Sequence, residues 1–199
     1  MKKNTNTNRK YEMVKENNGL YRIIAVRNFA NILKGECGGL VQNESNLSHS
    51  GNCWIYSGAT VKEDARVEEN ALIKDSAVVS GNAVITDNAI VISSARVRGA
   101  AVIRDYAVIG GNANVRGFAS VDGNATINGY AIVRERATVR GNAVIRDGAF
   151  VGGNAVIKGN AVIRDSATVE GFAAISGNVF IEDHAIVRGQ VIIEGASVT

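Results

Sequence analysis

The side chains that could perform chemistry are few and widely spaced in this sequence. The chain has two histidines, His49 and His184, and two cysteines, Cys37 and Cys53. His184 directly follows Asp183, and a neighbouring carboxylate can orient an imidazole as a general base. His184 is therefore the candidate catalytic residue. Two His and two Cys scattered in this way do not have the spacing of a zinc site, so the sequence predicts no metal.

Two sets of charged residues recur at multiples of 18 residues. The acidic set consists of Asp75, Asp147, Asp165 and Asp183. Their carboxylates could bind calcium, but aspartate is also a common turn residue, and we prefer the turn interpretation. The basic set consists of Arg98, Arg116, Arg134 and Arg188. These guanidinium groups could bind a phosphate, yet Glu170 interrupts the row and Gly152 leaves a hole in it, so we prefer a solvated face.

The elements that must position these residues come from one repeat. From Cys53 to Ala196 the sequence divides into 24 hexads of the form A-x-[VI]-x-[GDES]-x. Val or Ile fills the third position in all 24 hexads, and Ala fills the first position in 21. Apolar and variable residues alternate with the period of a strand, and the next two residues are turn formers. Each hexad thus predicts one short strand and one corner, with the first and third side chains inward.

Three hexads per turn would give a triangular solenoid with 18-residue coils. Six of the nine asparagines that end a hexad recur at this spacing, namely Asn70, Asn88, Asn124, Asn142, Asn160 and Asn178. Amide side chains stacked in this way can hydrogen-bond from coil to coil. The sequence therefore predicts an all-β fold of about eight coils around one continuous core.

The N-terminal residues do not follow the repeat. Two β-rich stretches flank the turn signal KENNG, which predicts a β-hairpin. A solenoid needs its first coil covered, because open strand edges favour association. We therefore divide the chain into a disordered basic tail at 1–10, an N-terminal cap at 11–52 made of the hairpin and an entry loop, and the repeat domain at 53–199.

One outward row of the repeat is apolar at seven of its eight positions. The apolar strip consists of Trp54, Leu72, Ile90, Val108, Val144, Val162 and Phe180. A continuous apolar surface of this length usually marks an interface, so either the N-terminal segment or another subunit should cover it. We expect a homo-oligomer, a dimer or a trimer of closed symmetry, packed through this strip.

Charge and hydropathy argue against several other classes of partner. The net charge is +3, and four of the cationic residues lie within the first ten residues. The rest of the chain is close to neutral, so we expect no nucleic-acid partner. No run approaches the roughly 20 apolar residues of a membrane span, and no apolar run follows the basic start as in a secretory signal. We expect a cytoplasmic protein with reduced cysteines.

The hexads resemble those of the hexapeptide-repeat superfamily, whose fold is a left-handed parallel β-helix. The family pattern of an aliphatic residue followed four positions later by a small one is met by Ile157 and Ala161. Glycine often follows the aliphatic residue directly in the family, whereas here it comes one position later, as in IKGN. The stretch from LYRIIAVRNF to SGNCWIY, together with the hexads, resembles a bacterial and phage-borne group whose members are commonly labelled transferases. This resemblance covers the chain from Tyr11 onward.

The resemblance implies one enzymatic alternative. Hexapeptide acyltransferases use a His as general base in a cleft between subunits of a trimer, and a loop usually protrudes from the repeat to build the acceptor pocket. Here the repeat is unbroken from Cys53 to Ala196, and His184 is the nearest match to that base. We therefore expect a non-catalytic oligomeric scaffold without a cofactor. The alternative is an acyl-CoA-dependent hexapeptide acyltransferase.

Overall fold

Each hexad forms a short strand followed by a corner, as the alternation of its residues predicts. The computed structural model describes residues 9–195 of the chain. From Cys53 to Ile175, every first and third side chain of a hexad is fully buried. The core is therefore a continuous column of Ala and Val or Ile side chains. Helix in the described residues is limited to the 3-10 turn Glu44–Asn46.

The strands are numbered in chain order. The first three are β1 (Tyr11–Lys15), β2 (Tyr21–Ala25) and β3 (Cys37–Val41). The next eight are β4 (Trp54–Ile55), β5 (Thr60–Val61), β6 (Arg66–Val67), β7 (Leu72–Ile73), β8 (Val78–Val79), β9 (Val84–Ile85), β10 (Ile90–Val91) and β11 (Arg96–Val97). They continue with β12 (Val102–Ile103), β13 (Val108–Ile109), β14 (Asn114–Val115), β15 (Ser120–Val121), β16 (Thr126–Ile127), β17 (Ile132–Val133), β18 (Thr138–Val139) and β19 (Val144–Ile145). The last are β20 (Phe150–Val151), β21 (Val156–Ile157), β22 (Val162–Ile163), β23 (Thr168–Val169), β24 (Ala174–Gly177), β25 (Phe180–Ile181), β26 (Ile186–Val187) and β27 (Ile192–Gly195).

Strands that lie three apart in this order pair in parallel, and the repeat builds three sheets. Sheet 1 has the order β1-β2-β3-β5-β8-β11-β14-β17-β20-β23-β26. Sheet 2 runs from β4 through β7 to β25, and sheet 3 runs from β6 through β9 to β27. Paired residues such as Ile90 and Val108 are 18 positions apart in the sequence. The 18-residue coil and the parallel solenoid are therefore confirmed.

The N-terminal hairpin is also confirmed. Strands β1 and β2 pair antiparallel, with Tyr11 opposite Ala25 and Lys15 opposite Tyr21. The turn between them closes through Gly19, whose φ of 81° lies in the left-handed region that glycine adopts without a steric penalty. Because β2 pairs antiparallel with β3, and β3 pairs parallel with β5, the hairpin extends sheet 1.

The solenoid has about nine turns, one more than the hexads predict. The additional turn is partial and begins at β3, where Val41 pairs with Val61 and Leu47 pairs with Val67, each 20 residues further on. Gly39 stands on β3 where the repeat would place Ala, and a Cβ at Gly39 would lie 2.5 Å from the Ala59 carbonyl oxygen. A 20-residue turn that starts with glycines has no hexad signature, so the repeat pattern missed it.

Acidic residues at the fifth hexad position shape the corners. Asp105, with φ of 58°, lies in the left-handed region. Its Oδ2 accepts a hydrogen bond from the backbone N–H of Gly123 at 2.9 Å, one coil further on. The members of the acidic row at Asp75, Asp147, Asp165 and Asp183 have φ between 54° and 59°. They are turn residues, and the turn interpretation of that row is confirmed.

The asparagine column joins successive coils. Nδ2 of Asn124 donates to Oδ1 of Asn142 at 3.1 Å, and Asn142 donates to Asn160 at 2.9 Å. The column extends into the entry turn, which is the partial turn that runs from β3 to Cys53. There the side-chain amide of Asn52 donates to Asn70. Tyr106 stands between Asn88 and Asn124 in the column, and its side chain is 64% exposed. The predicted coil-to-coil hydrogen bonds are therefore confirmed on both sides of this interruption.

The two ends of the described solenoid differ in burial. At the N-terminal end, Trp54 and Ile55 are fully buried beneath the hairpin and entry turn. In the last described turn, Ile186 is 62% exposed and Ile192 is 75% exposed. Residues 1–8 of the predicted disordered tail and residues 196–199 of the predicted repeat domain lie outside the described residues.

Candidate functional site

His184 lies at an exposed corner between sheets 2 and 1, in the last described turn. Its neighbour Asp183 uses its backbone N–H to donate to Oδ2 of Asp165 at 3.2 Å. The His184 ring makes no hydrogen bond to another residue in the range 9–195, and its side chain is exposed. Among the described residues, the geometry therefore supplies no group that orients this imidazole.

His49 is the histidine that the structure holds in place. Its Nδ1 accepts from the Lys10 backbone N–H at 3.2 Å, and its Nε2 lies 3.0 Å from Oε1 of Glu44. The ring stacks on Tyr11 with a centroid distance of 4.2 Å. Since Nδ1 is an acceptor, the proton of the neutral ring is on Nε2 and is donated to Glu44. Both nitrogens are occupied within the fold, so His49 connects the hairpin to the entry turn and is not a free base.

Glu44 is held in its ionised form by this contact. The hydrogen bond from His49 is the main cause that lowers the pKa of the Glu44 carboxyl, and the nearby Arg9 adds to it. Nη2 of Arg9 lies 2.8 Å from the same carboxylate oxygen. The carboxylate is already engaged by Arg9 and His49. It therefore links the start of the chain to the entry turn and is not available as a general base.

Lys10 and Cys53 form a buried pair at the N-terminal end of the core. Nζ of Lys10 donates to the Cys53 carbonyl oxygen at 2.8 Å and lies 3.2 Å from Cys53 Sγ. It also lies 5.2 Å from the centroid of the Phe29 ring. Burial lowers the pKa of the Lys10 ammonium and raises the pKa of the Cys53 thiol. Cys37 is exposed, and neither cysteine forms a disulfide. The contact between Lys10 and Cys53 is therefore a hydrogen-bonded pair.

No cluster in the described part of the chain has the composition of a metal site. Groups of three or more His, Cys, Asp or Glu side chains that could hold an ion do not occur within residues 9–195. Two members of the acidic row accept corner hydrogen bonds instead, Asp75 from the Ser93 N–H at 3.1 Å and Asp165 from the Asp183 N–H at 3.2 Å. These two carboxylates therefore bind the backbone of the next coil.

The apolar strip lies on the outer face of sheet 2, and its first member differs from the rest. Trp54 is fully buried, and its ring meets that of Phe29 edge-on at 5.4 Å. Tyr56 lies beside the strip in the sequence. Its hydroxyl contacts Asn31, which lies between β2 and β3. The N-terminal segment thus covers the start of the row and leaves the strip from Leu72 onward uncovered by described residues. Its members from Leu72 to Val162 are half-buried by their neighbours in the sheet, and Phe180 is 63% exposed.

The arginine row lies on the outer face of sheet 1. Arg188 pairs with Glu170 at 2.7 Å, so the acid that interrupts the row is neutralised there. The expected hole at Gly152 is filled, because a Cβ at that position would lie 2.8 Å from the Phe150 ring. The guanidinium of Arg134 lies over the same ring, 4.7 Å from its centroid. Sequence reasoning saw the spacing of the row but could not see the aromatic ring between its members.

Comparison with known proteins adds no family to this geometry. No protein-family model matches the chain, and no curated protein matches it. Its class is therefore defined by the fold, a parallel β-solenoid with 18-residue coils and an N-terminal antiparallel hairpin. Among residues 9–195, no helix has the length and apolar character required to cross a bilayer.

Proposed function

We propose that the protein is a non-catalytic scaffold of the hexapeptide-repeat type that assembles into a homo-oligomer through the apolar strip. The observation that carries this proposal is the incomplete cover of the strip. The N-terminal segment shields Trp54, whereas the hairpin continues along sheet 1 and leaves sheet 2 uncovered by described residues from Leu72 onward. A face of this kind is buried in an assembly of copies related by closed symmetry.

The surroundings of the strip fit a subunit contact. Its C-terminal half is flanked by charged residues that already pair within the chain, such as Arg146 with Asp147 at 3.0 Å and Arg164 with Glu182. Protein interfaces commonly have an apolar centre surrounded by a polar rim. The strip and its flanking ion pairs have this arrangement.

The acyltransferase alternative receives no support from the site. It depends on His184, whose ring has no hydrogen-bond partner among the described residues and lies at an exposed corner. The coils follow one another from β4 to β27 without an inserted loop that would build an acceptor pocket. The rigid, regular surface is better suited to binding another chain than to positioning a reacting group.

The test of assembly through the apolar strip replaces Val108 with arginine and measures the molecular mass in solution by light scattering. We expect the unmodified protein to have a mass that is a multiple of 21.0 kDa. The Val108→Arg variant should dissociate to the single-chain mass, because a guanidinium buried in an apolar contact costs several kcal/mol.

Val102→Arg is the matched control for this experiment. Val102 and Val108 occupy the same position of consecutive hexads and are both half-buried, but Val102 lies on sheet 3. We expect the control variant to keep the mass of the unmodified protein. A single-chain mass for the unmodified protein, or an unchanged mass for Val108→Arg, would contradict the proposal.

A further inference from the structure

Five arginines concentrate on one part of sheet 1, in three successive coils. This arginine cluster consists of Arg96, Arg98, Arg116, Arg134 and Arg136. Arg98, Arg116 and Arg134 occupy the same hexad position, one coil apart from each other. Because stacked strands are spaced by about 4.8 Å, these three side chains form a column whose bases span about 10 Å.

The charge of the cluster is largely uncompensated. Arg96, Arg98, Arg116 and Arg136 form no ion pair with a residue in the described range 9–195, and the sequence outside that range has no Asp or Glu. Several other arginines of the solenoid are paired, for instance Arg104 with Asp122 at 3.4 Å. Four unpaired arginines within three successive coils leave a concentrated positive charge available to an external anion.

Glu135 is the acidic residue that lies within the cluster. Its Oε1 is 3.2 Å from Nε of Arg134, and its Oε2 accepts a hydrogen bond from the Gly153 N–H. The carboxylate therefore fixes the corner and offsets the charge of Arg134 alone. The cluster keeps a net positive charge around it.

A cleft of about 520 Å³ opens between these side chains. It is lined by Arg116, Phe118, Arg134, Glu135 and Arg136, together with parts of the neighbouring corners. Its size falls within the range of small-molecule sites, about 300–1,000 Å³. The Phe118 ring is 67% exposed, and the Arg136 guanidinium lies 5.7 Å from its centroid. The cleft thus offers a flat apolar surface beside cationic groups.

One donor of the arginine cluster has no acceptor among the described residues. Nε of Arg116, whose side chain lines the cleft, is buried and makes no hydrogen bond to described residues, whereas Nε of Arg134 faces the Glu135 carboxylate. A buried donor without an acceptor costs free energy that a ligand oxygen can recover. The guanidinium group presents its donors in a planar fork that matches phosphate oxygens.

We propose that this cleft binds an organic ligand with two or three linked phosphate groups. The phosphates lie along the column of Arg98, Arg116 and Arg134, and the apolar part of the ligand packs on Phe118. A single small anion cannot contact three guanidinium groups over about 10 Å, whereas linked phosphates can. The inference goes beyond the scaffold role and uses sheet 1, which is a different face from the apolar strip.

The test is isothermal titration of the whole protein with inorganic triphosphate and, separately, with ATP at about 0.1 M salt. We expect one site per chain for both probes and tighter binding of ATP. Arg116→Gln should weaken both probes at least tenfold, and Arg98→Gln gives a second variant at an exposed position. Phe118→Leu should weaken ATP towards the affinity of triphosphate and change triphosphate binding less than twofold.

Arg140→Gln is the matched control. Arg140 occupies the same hexad position as Arg134, one hexad later on sheet 3, where it is exposed and forms no ion pair with a described residue. This control should change binding of either probe less than twofold. No saturable binding at millimolar ligand, or equal losses in Arg116→Gln and Arg140→Gln, would overturn the site. Equal affinity for ATP and triphosphate would overturn the part assigned to Phe118.

The two proposals fail independently of each other. Val108→Arg alters sheet 2 and should leave triphosphate binding unchanged, whereas Arg116→Gln should leave the oligomer mass unchanged. If Val108→Arg also abolished triphosphate binding, the cleft of a single chain would be insufficient and the inference would be wrong.

Discussion

Three side chains at the N-terminal end have their acid–base properties changed by burial. Lys10 is fully buried, and burial lowers the pKa of its ammonium group. Burial also raises the pKa of the Tyr11 phenol and of the Cys53 thiol. Each group is hydrogen-bonded to backbone atoms of the entry turn, for example Tyr11 Oη to the Leu47 carbonyl oxygen at 2.8 Å. Shifted pKa values at this end therefore arise from closing the core and do not mark a catalytic centre.

Removing the Tyr11 hydroxyl tests this interpretation. Tyr11→Phe leaves the Leu47 carbonyl oxygen without this donor, and we expect a loss of about 1–2 kcal/mol in the free energy of unfolding. Tyr130→Phe is the control, since Tyr130 is 71% exposed, and should change stability by less than about 0.5 kcal/mol. Urea unfolding measures both variants, and equal effects would show that the Tyr11 hydrogen bond contributes no particular stability.

The pH dependence of the same variant has a definite sign. Burial raises the pKa of Tyr11 above its ordinary value of 10.0. Above that pH the unfolded chain releases the phenol proton while the folded protein keeps it, so the stability of the unmodified protein falls as pH rises. Tyr11→Phe lacks this contribution, and its stability deficit should therefore shrink as the pH rises from about 10 to about 11. A deficit that stays constant over this range would contradict the raised pKa.

At the scale of the single coil, the backbone conformation at each corner and its distance to the next coil limit which residues fit there. Gly153 has φ of 66°, and a Cβ there would lie 2.7 Å from the backbone nitrogen of Gly171. Gly110 has no positive φ, and the nearest atom to its Cβ would be at 3.4 Å. The two glycines look alike in sequence, but the backbone of the next coil restricts only Gly153.

Alanine at each position tests this difference. Gly153→Ala should lower the free energy of unfolding by about 1–3 kcal/mol, because the strained backbone and the clash with the neighbouring coil cannot both relax. Gly110→Ala should be neutral or stabilising by up to about 1 kcal/mol, because it restricts the unfolded chain. Thermal unfolding of both variants is the measurement, and a loss in Gly110→Ala as large as in Gly153→Ala would refute this account of the corner.

At the scale of the whole molecule, stability is distributed along one axis. Each coil contacts mainly its neighbours, so the stability of the array is approximately a sum over coils and their contacts. Inward residues are fully buried up to Ile175, whereas Ile181, Val187 and Ile193 are partly exposed. The last described turn is therefore the least protected part of the array.

The same substitution at two depths measures this gradient. Ile163→Ala removes a fully buried side chain and should cost about 2–5 kcal/mol. Ile193→Ala, at the equivalent inward position of the last described turn, should cost less than half as much. Hydrogen exchange should show the amides of β27 opening before those of β22. Equal costs at the two positions would mean that the array unfolds as a single unit with no weak end.

Much of this architecture could be predicted because its rules are local. An alternating hexad with Gly or Asp at the fifth position determines the strand, the corner and the inward side chains within six residues. The 18-residue coil was predictable from the asparagine spacing, since identical side chains stack at equivalent positions. The partial turn that begins at β3 was not, because its 20-residue length and its glycines, such as Gly39, follow no repeat.

The sequence by itself determined the period, the core and the outward rows, because each of these depends on neighbours within one hexad or on a constant spacing. Only the tertiary structure decided that Trp54 is buried while Leu72 is left uncovered, and that His49 is held in place while His184 is not. It also brought Arg134 onto the Phe150 ring and left Arg116 with an unpaired donor. These outcomes depend on contacts between residues far apart in the chain, such as Lys10 with Cys53, and on which free space a neighbouring coil fills. No local pattern encodes them.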